Sequence, residues 1–247
     1  MLFPFVARLK DKTYTVNGGT YQMKIHGFAS ACEFEVAEQT ESRVTFVLRD
    51  NEVTRAQFPF AFLFKVRYAL KESTVEVTYT VDNPEDEMLH FGLGGHPGFN
   101  VPLKEGTSFE DYYLRFSQPC EPDRVGFSSE ILVSGVDKRY ELEGGQIIRL
   151  RHDLFDHDAI VLKNMAKSVT IASDKTKRYV TVSYPQMPYV GFWHAERKDA
   201  PYVCIEPWVS LPARDGVVED FACKGDLIHL PGHGSYENTW YITIGEE

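Results

Sequence analysis

The residues best suited to chemistry stand in two short runs that lie far apart in the chain. In the first, Leu89 to Leu103, LHFGLGGHPGFNVPL, Leu89, Phe91 and Leu93 alternate as in a half-buried strand. Gly94 and Gly95 end the alternation, since paired glycines allow positive φ and close approach of backbone or ligand. His96 follows, and Pro97 confines it to extended backbone. The outcome is an imidazole of little conformational freedom with small neighbours. In the second run, Tyr202 to Trp208, YVCIEPW, a strand puts Tyr202, Cys204, Glu206 and Trp208 on one face and Val203 and Ile205 on the other. Glu206 sits among apolar residues and again precedes a proline. A carboxylate in such a strand is costly unless it is paired or used. A histidine and a glutamate fixed in this way could work as an acid and base pair, although a lone His-Pro is also what an ordinary loop beside a turn contains.

Other residues carry weaker signals. Arg8 closes the apolar run Leu2 to Ala7, where a guanidinium would bind a hydroxyl or carboxylate, or simply pair on the surface. His26 precedes Gly27 and Phe28, which by itself reads as structural. Asp158 would point inward at the start of a strand or cap a turn, and the cap is favoured. Trp193 and Trp208 could stack on the C–H face of a sugar ring, although most aromatics of a β protein are core. No H-x-H spacing occurs, and the single H-x-x-x-H pair, His229 and His233, straddles a Pro-Gly turn rather than lying on a helix, so a metal site is not expected. There is no G-x-S-x-G for a serine nucleophile and no Walker-type phosphate loop.

The elements that must position these residues are strands. Val44, Phe46 and Leu48 alternate, as do Phe62 to Leu70, Val75 to Val81, Val180 to Tyr184 and Trp240 to Ile244, and no helix-period segment matches them in length. Turns are expected at Asn17-Gly18-Gly19, Lys71-Glu72-Ser73, Asp82-Asn83-Pro84, Glu143-Gly144-Gly145 and Pro231 to Gly234. Thr107 to Phe116 fits a short helix or a strand equally. The pattern is all-β, mostly antiparallel, in a sandwich or barrel, and without linker or repeat it reads as a single domain over residues 1–247. The 36 acidic and 26 basic residues give a formal charge of −10 without a basic cluster, which argues against nucleic acid and against anionic membranes. No apolar run is long enough to span a bilayer, and charges at Arg8, Lys10, Asp11 and Lys12 interrupt the N-terminal run too early for a signal peptide. Cys32, Cys120, Cys204 and Cys223 show no C-x-x-C pairing, so a reducing cytoplasm is the default expectation.

Five motifs in chain order carry a family likeness: LFPFVARLKD at the start, HGFA at His26 to Ala29, GGHPGFNVPL at Gly94 to Leu103, DAIVLKN from Asp158, and CIEPW at Cys204 to Trp208. Together they resemble the aldose 1-epimerase (galactose mutarotase) family, in its bacterial branch. The resemblance implies the large antiparallel β-sandwich of the galactose mutarotase type. It implies His96 as general acid, Glu206 as general base, and Arg8, His26 and Asp158 as contacts to sugar hydroxyls. It also implies a small aldose as the partner and no metal or organic cofactor. The reaction would open the ring: a base takes the proton of the C1 hydroxyl, an acid protonates the ring oxygen, and closure on the other face gives the second anomer. Carboxylate and imidazolium should each favour the ionised form of the other.

Two departures stand out. Ser30 replaces the arginine that commonly follows HGFA, which bears on any contact to a charged part of the substrate. The chain also begins at the LFPF motif, so the usual N-terminal strands are expected to be missing. That would leave an edge open to self-association, such as a homodimer. Ser30 and the short N-terminus favour a competing reading, a catalytically silent carbohydrate-binding or regulatory protein on the same fold. A glycoside hydrolase, which usually needs two carboxylates, fits less well.

Overall fold

In the computed structural model, which describes residues 1–246, the period-two segments are strands. Nine form one antiparallel sheet in the spatial order Ile147–Arg149, Tyr112–Phe116, Ser168–Ser173, Thr176–Ser183, Ser235–Glu246, Thr74–Asp82, Leu63–Lys71, Arg43–Arg49, Glu35–Gln39. Six form a second antiparallel sheet, Lys138–Arg139, Asp123–Arg124, Ile160–Lys163, Tyr189–Trp193, Tyr202–Trp208, Gly98–Asn100. The sheets meet through their apolar faces: Phe116 of the larger lies edge-on to Phe192 of the smaller, with ring centroids 6.1 Å apart. A three-stranded sheet contains a parallel pair, Thr13–Val16 with Glu219–Asp220. The chain is thus the all-β, dominantly antiparallel sandwich expected.

Local chemistry explains the boundaries. Asn17 and Gly18 both have positive φ (49° and 74°), as the tight hairpin between Thr13–Val16 and Gly19–Gln22 requires. The ambiguous stretch before Phe116 divides in two. Ser108 and Asp111 cap a 3₁₀ turn over Phe109–Asp111, and the strand Tyr112–Phe116 follows. Alternation holds in the long strands but does not guarantee burial. Phe64 and Val66 are inaccessible, while Leu70 and Ile244, in phase with them, are exposed where the strands run past the covered core.

The N-terminal run ties the two histidine-bearing loops together. Leu2 N–H donates to Gly94 O (2.8 Å) and Gly94 N–H to Leu2 O (3.1 Å). Phe28 and Ala29 N–H both donate to Phe3 O at 3.1 Å, and Gly92 N–H donates to Pro4 O at 2.7 Å. The Phe3 ring is wholly buried among Phe28, Phe58, Phe62, Phe64 and Phe91. This short extended segment therefore fixes the spacing between the loop carrying His96, the turn carrying His26, and Arg8.

Candidate active site

All five polar residues singled out in the sequence, Arg8, His26, His96, Asp158 and Glu206, line one cavity of about 270 Å³, together with Trp193 and Trp208. Ala7, Ala159, Val161 and Trp208, which also line it, belong to a small apolar cluster with Leu2, Val6 and Val125. A wider groove of about 700 Å³ shares Phe127, Ile131, Asp158 and Glu196 with this cavity but includes neither His96 nor Glu206.

His96 stands at the end of the Gly94-Gly95 loop, and the glycines work by close approach rather than by positive φ. A Cβ on Gly94 would lie 2.7 Å from Trp208 Cδ1, and one on Gly95 2.9 Å from Trp240 Cζ2. Only glycines let this loop lie flat against the two indoles. Edge-to-face contacts with His26 (5.5 Å between centroids) and Trp193 (5.9 Å) then orient the imidazole. Glu206 is delivered by the strand Tyr202–Trp208, opposite Gly191, where a side chain would meet the Glu206 Cβ and the Trp208 ring. Glu206 Oε1 lies 3.4 Å from His96 Nε2, with the carboxylate side chain 3 % exposed and the imidazole 28 %.

The protonation of this pair differs from the sequence expectation. Burial, the largest influence, pushes the Glu206 carboxyl well above the usual carboxylate range, and burial likewise pushes His96 below its ordinary value. The Trp208 indole N–H lies close enough to ease the carboxylate but satisfies no hydrogen-bond geometry, so burial prevails. Desolvation thus outweighs the mutual attraction of carboxylate and imidazolium. Near neutral pH the pair then holds a single proton, and the neutral and ion-pair forms differ only in where that proton sits.

His26 is the most fully determined ligand-facing group. Its Nδ1 accepts a hydrogen bond from Ala7 N–H at 3.1 Å, while the backbone N–H of His26 donates to Ala7 O at 3.0 Å. Burial, then the neighbouring His96 and Arg8, pushes its pKa down to about 4. The imidazole is therefore neutral near pH 7 with its proton on Nε2, a fixed donor. Asp158 combines the two sequence readings. Its Oδ1 accepts from Ala159 N–H at 2.7 Å as a local cap, and its Oδ2 accepts from Arg8 Nη1 at 2.8 Å while the residue lines the cavity. Arg8 likewise both pairs and faces the site. Ala7, His26 and Asp158 have φ of 58°, 65° and 69°. Three non-glycine residues in the left-handed region around one cavity concentrate backbone strain there.

Sequence reasoning missed Phe127, Ile131 and Glu196, which reach the cavity from irregular segments without periodicity to mark them. Ser30 is exposed and does not line the cavity. One further neighbour was visible in the strand alternation but not its consequence. Cys204 shares its strand face with Glu206, and among the described residues His96, Cys204 and Glu206 bring their ligating atoms within 4.8 Å of one another. Burial, then the Glu206 charge, pushes the Cys204 thiol up to about 12.

The family model for aldose 1-epimerase matches residues 1–213. The chain belongs to the aldose 1-epimerase family. This is a family of isomerase-type enzymes, and the motifs that suggested it are the ones that assemble the cavity. Two forms of protein LacX from Lactococcus lactis subsp. lactis, chromosomal and plasmid, are 33% identical over 190 residues, 75% of this chain. The match spans 63% of the length of these curated relatives. A galactose mutarotase related enzyme from Lactobacillus acidophilus superposes with a TM-score of 0.94 at 35% identity, covering 99% of this chain and 82% of that one. A galactose mutarotase-like protein from Lactobacillus casei gives 0.90 at 30% identity, covering 99% and 84%. The galactose mutarotase-like fold is thus shared over nearly the whole chain. Among the described residues no helix is long and apolar enough to cross a membrane.

Proposed function

We propose that this member of the aldose 1-epimerase family is a mutarotase that interconverts the α and β anomers of a hexose. The observation that carries the reading is the 3.4 Å approach of His96 Nε2 to Glu206 Oε1 at the wall of a small polar cavity. In an aldopyranose the ring oxygen and the hydroxyl that must lose its proton are bonded to the same carbon. The acid and the base that serve them must therefore stand close together, as His96 and Glu206 do. The cavity, about 270 Å³, lies just below the roughly 300–1,000 Å³ typical of drug-sized ligands, a size suited to one sugar ring.

In this reading a sugar enters with its apolar C–H face toward Trp193 or Trp208. The Nε2–H of His26 and the guanidinium of Arg8 hold its hydroxyls. The reactive form of the pair has the proton on His96 and the charge on Glu206. Glu206 takes the proton of the C1 hydroxyl as His96 protonates the ring oxygen, and the C1–O5 bond breaks to give the open-chain aldehyde. Rotation about C1–C2 presents the other carbonyl face. Closure returns the proton from the C5 hydroxyl to His96 and the proton on Glu206 to the new C1 hydroxyl, so proton and charge balance over the cycle. Acid and base assistance contributes on the order of 10²–10⁴ each, which suffices for a reaction that already proceeds in water.

The hydrolase reading is disfavoured because Asp158, a second carboxylate at the cavity, is engaged on both oxygens by Ala159 N–H and Arg8. Polarimetry of freshly dissolved α-glucose and α-galactose tests the proposal. Mutarotation should accelerate in proportion to protein concentration. An unchanged rate with saturable sugar binding would instead indicate a silent carbohydrate-binding protein, and release of reducing ends from oligosaccharides would indicate a hydrolase. The partner is a small aldose, handled by the protein's own side chains.

A further inference from the structure

We infer that His96, Cys204 and Glu206 form a binding site for a thiophilic divalent cation of the zinc type, and that the cation switches the enzyme off. The inhibition rests on the mutarotase reading; the binding does not. Three observations carry it. The three ligating atoms lie within 4.8 Å of one another. Tetrahedral zinc with its usual bond lengths to N, O and S places ligand atoms about 3.3–3.6 Å apart, and His96 Nε2 and Glu206 Oε1 already stand at 3.4 Å. The thiol needs to close by at most about 1.2–1.5 Å, within reach of side-chain rotation.

The second observation is rigidity. Cys204 and Glu206 are two residues apart on one face of a strand that pairs on both sides, with Tyr189–Trp193 and with Gly98–Asn100. The loop before Gly98 carries His96, and Gly98 lies opposite Cys204 in that pairing. Two ligands are thus held by one strand, and the third by a short loop that leads directly into the neighbouring strand. The third observation is donor type. One thiolate, one imidazole and one carboxylate select zinc over magnesium or calcium, which prefer oxygen alone. Three protein ligands leave a fourth position for water. His96 and Glu206 line the cavity, so the cation arrives by the route the sugar takes.

Binding releases the Cys204 thiol proton, and any proton held by the His96–Glu206 pair, to solvent as the Zn–S, Zn–N and Zn–O bonds form. Once bound, the metal occupies the lone pairs that the ring-opening cycle uses. Cation and sugar therefore compete, and neither proton transfer runs while the metal is present.

The test uses the full chain with Zn²⁺ or Co²⁺ as its chloride, in a buffer that does not chelate. Isothermal titration should show one Zn²⁺ per chain, and Co²⁺ should give a thiolate-to-metal charge-transfer band. Cys204→Ser should abolish that band and weaken zinc binding by more than the roughly 10–100-fold that loss of an outer-shell partner costs. Cys204→Ala serves as a second variant should the serine fold poorly, and Cys223→Ser should change nothing. In the mutarotation assay Zn²⁺ should inhibit wild type competitively with sugar, reversibly on adding EDTA, and inhibit Cys204→Ser far less. Absence of zinc binding by wild type, or equal binding by Cys204→Ser, overturns the site whatever the activity. Zinc binding that requires Cys204, in a protein without mutarotation, upholds the site and overturns the function instead. Binding without inhibition of an active enzyme overturns the switch.

Discussion

Replacing Glu206 by glutamine should separate catalysis from stability. The substitution keeps the shape of a side chain that is 3 % exposed but removes its capacity to take a proton. Loss of one general base costs on the order of 10²–10⁴ in rate, or about 3–5 kcal/mol in the barrier at about 1.36 kcal/mol per tenfold. Stability should move the other way. Burial raises the folded pKa of Glu206 above that of the unfolded chain. Its favourable contribution is complete below the ordinary carboxylate value of about 4.3 and declines as pH climbs toward the raised folded value, because the native state then holds a proton the unfolded state has lost. Glutamine has no such dependence. Between about pH 5 and pH 9 the melting temperature of the variant should therefore fall less than that of wild type, followed by circular dichroism, while polarimetry shows the lost rate. A variant within about threefold of the wild-type rate would refute the role of Glu206. An identical pH dependence of melting would refute the account of its burial.

Further outcomes follow from the same geometry. The kcat/KM for mutarotation should be bell-shaped in pH, falling in acid as the His96–Glu206 pair takes a second proton and in alkali as it loses its only one; a flat profile from about pH 5 to 9 contradicts the shared-proton model. His26, with its pKa pushed down to about 4, should add no titration above about pH 5, so His26→Gln should raise KM without shifting either limb. Arg8→Ala removes the cation that fixes Asp158 and lines the cavity. Hydrogen bonds to charged groups are worth about 1.5–3 kcal/mol, so kcat/KM should drop roughly 10- to 100-fold, mainly through KM. Phe3→Ala opens a void among five aromatic rings, and denaturant titration should show a loss of about 3–5 kcal/mol.

Much of this arrangement was legible in the sequence because it obeys local rules. Period-two alternation marked the long strands, Asn-Gly marked the first hairpin, and prolines after His96 and Glu206 flagged two polar residues built into apolar strands. The less legible parts depend on long-range placement. Leu70 and Ile244 keep the alternation yet lie outside the covered core, since periodicity specifies a face and not what packs on it. The tautomer of His26 is set by the Ala7 amide, through a left-handed backbone that a His-Gly-Phe triplet does not announce. The expected ion pair between His96 and Glu206 gave way to desolvation, whose size depends on the depth of a cavity that composition does not reveal. The lack of local metal-ligand spacing around His96 hid a cluster whose histidine comes from a loop next to another strand, although Cys204 and Glu206 were visibly in phase.

The central claim, that His96 and Glu206 pass protons to and from the anomeric centre, is tested most directly by magnetisation transfer between the α and β anomeric ¹H signals of a hexose at equilibrium. Catalytic amounts of wild-type protein should produce exchange cross-peaks that vanish with His96→Asn and with Glu206→Gln, both still folded. Exchange that persists in either variant, or fails to appear with wild type, would contradict it.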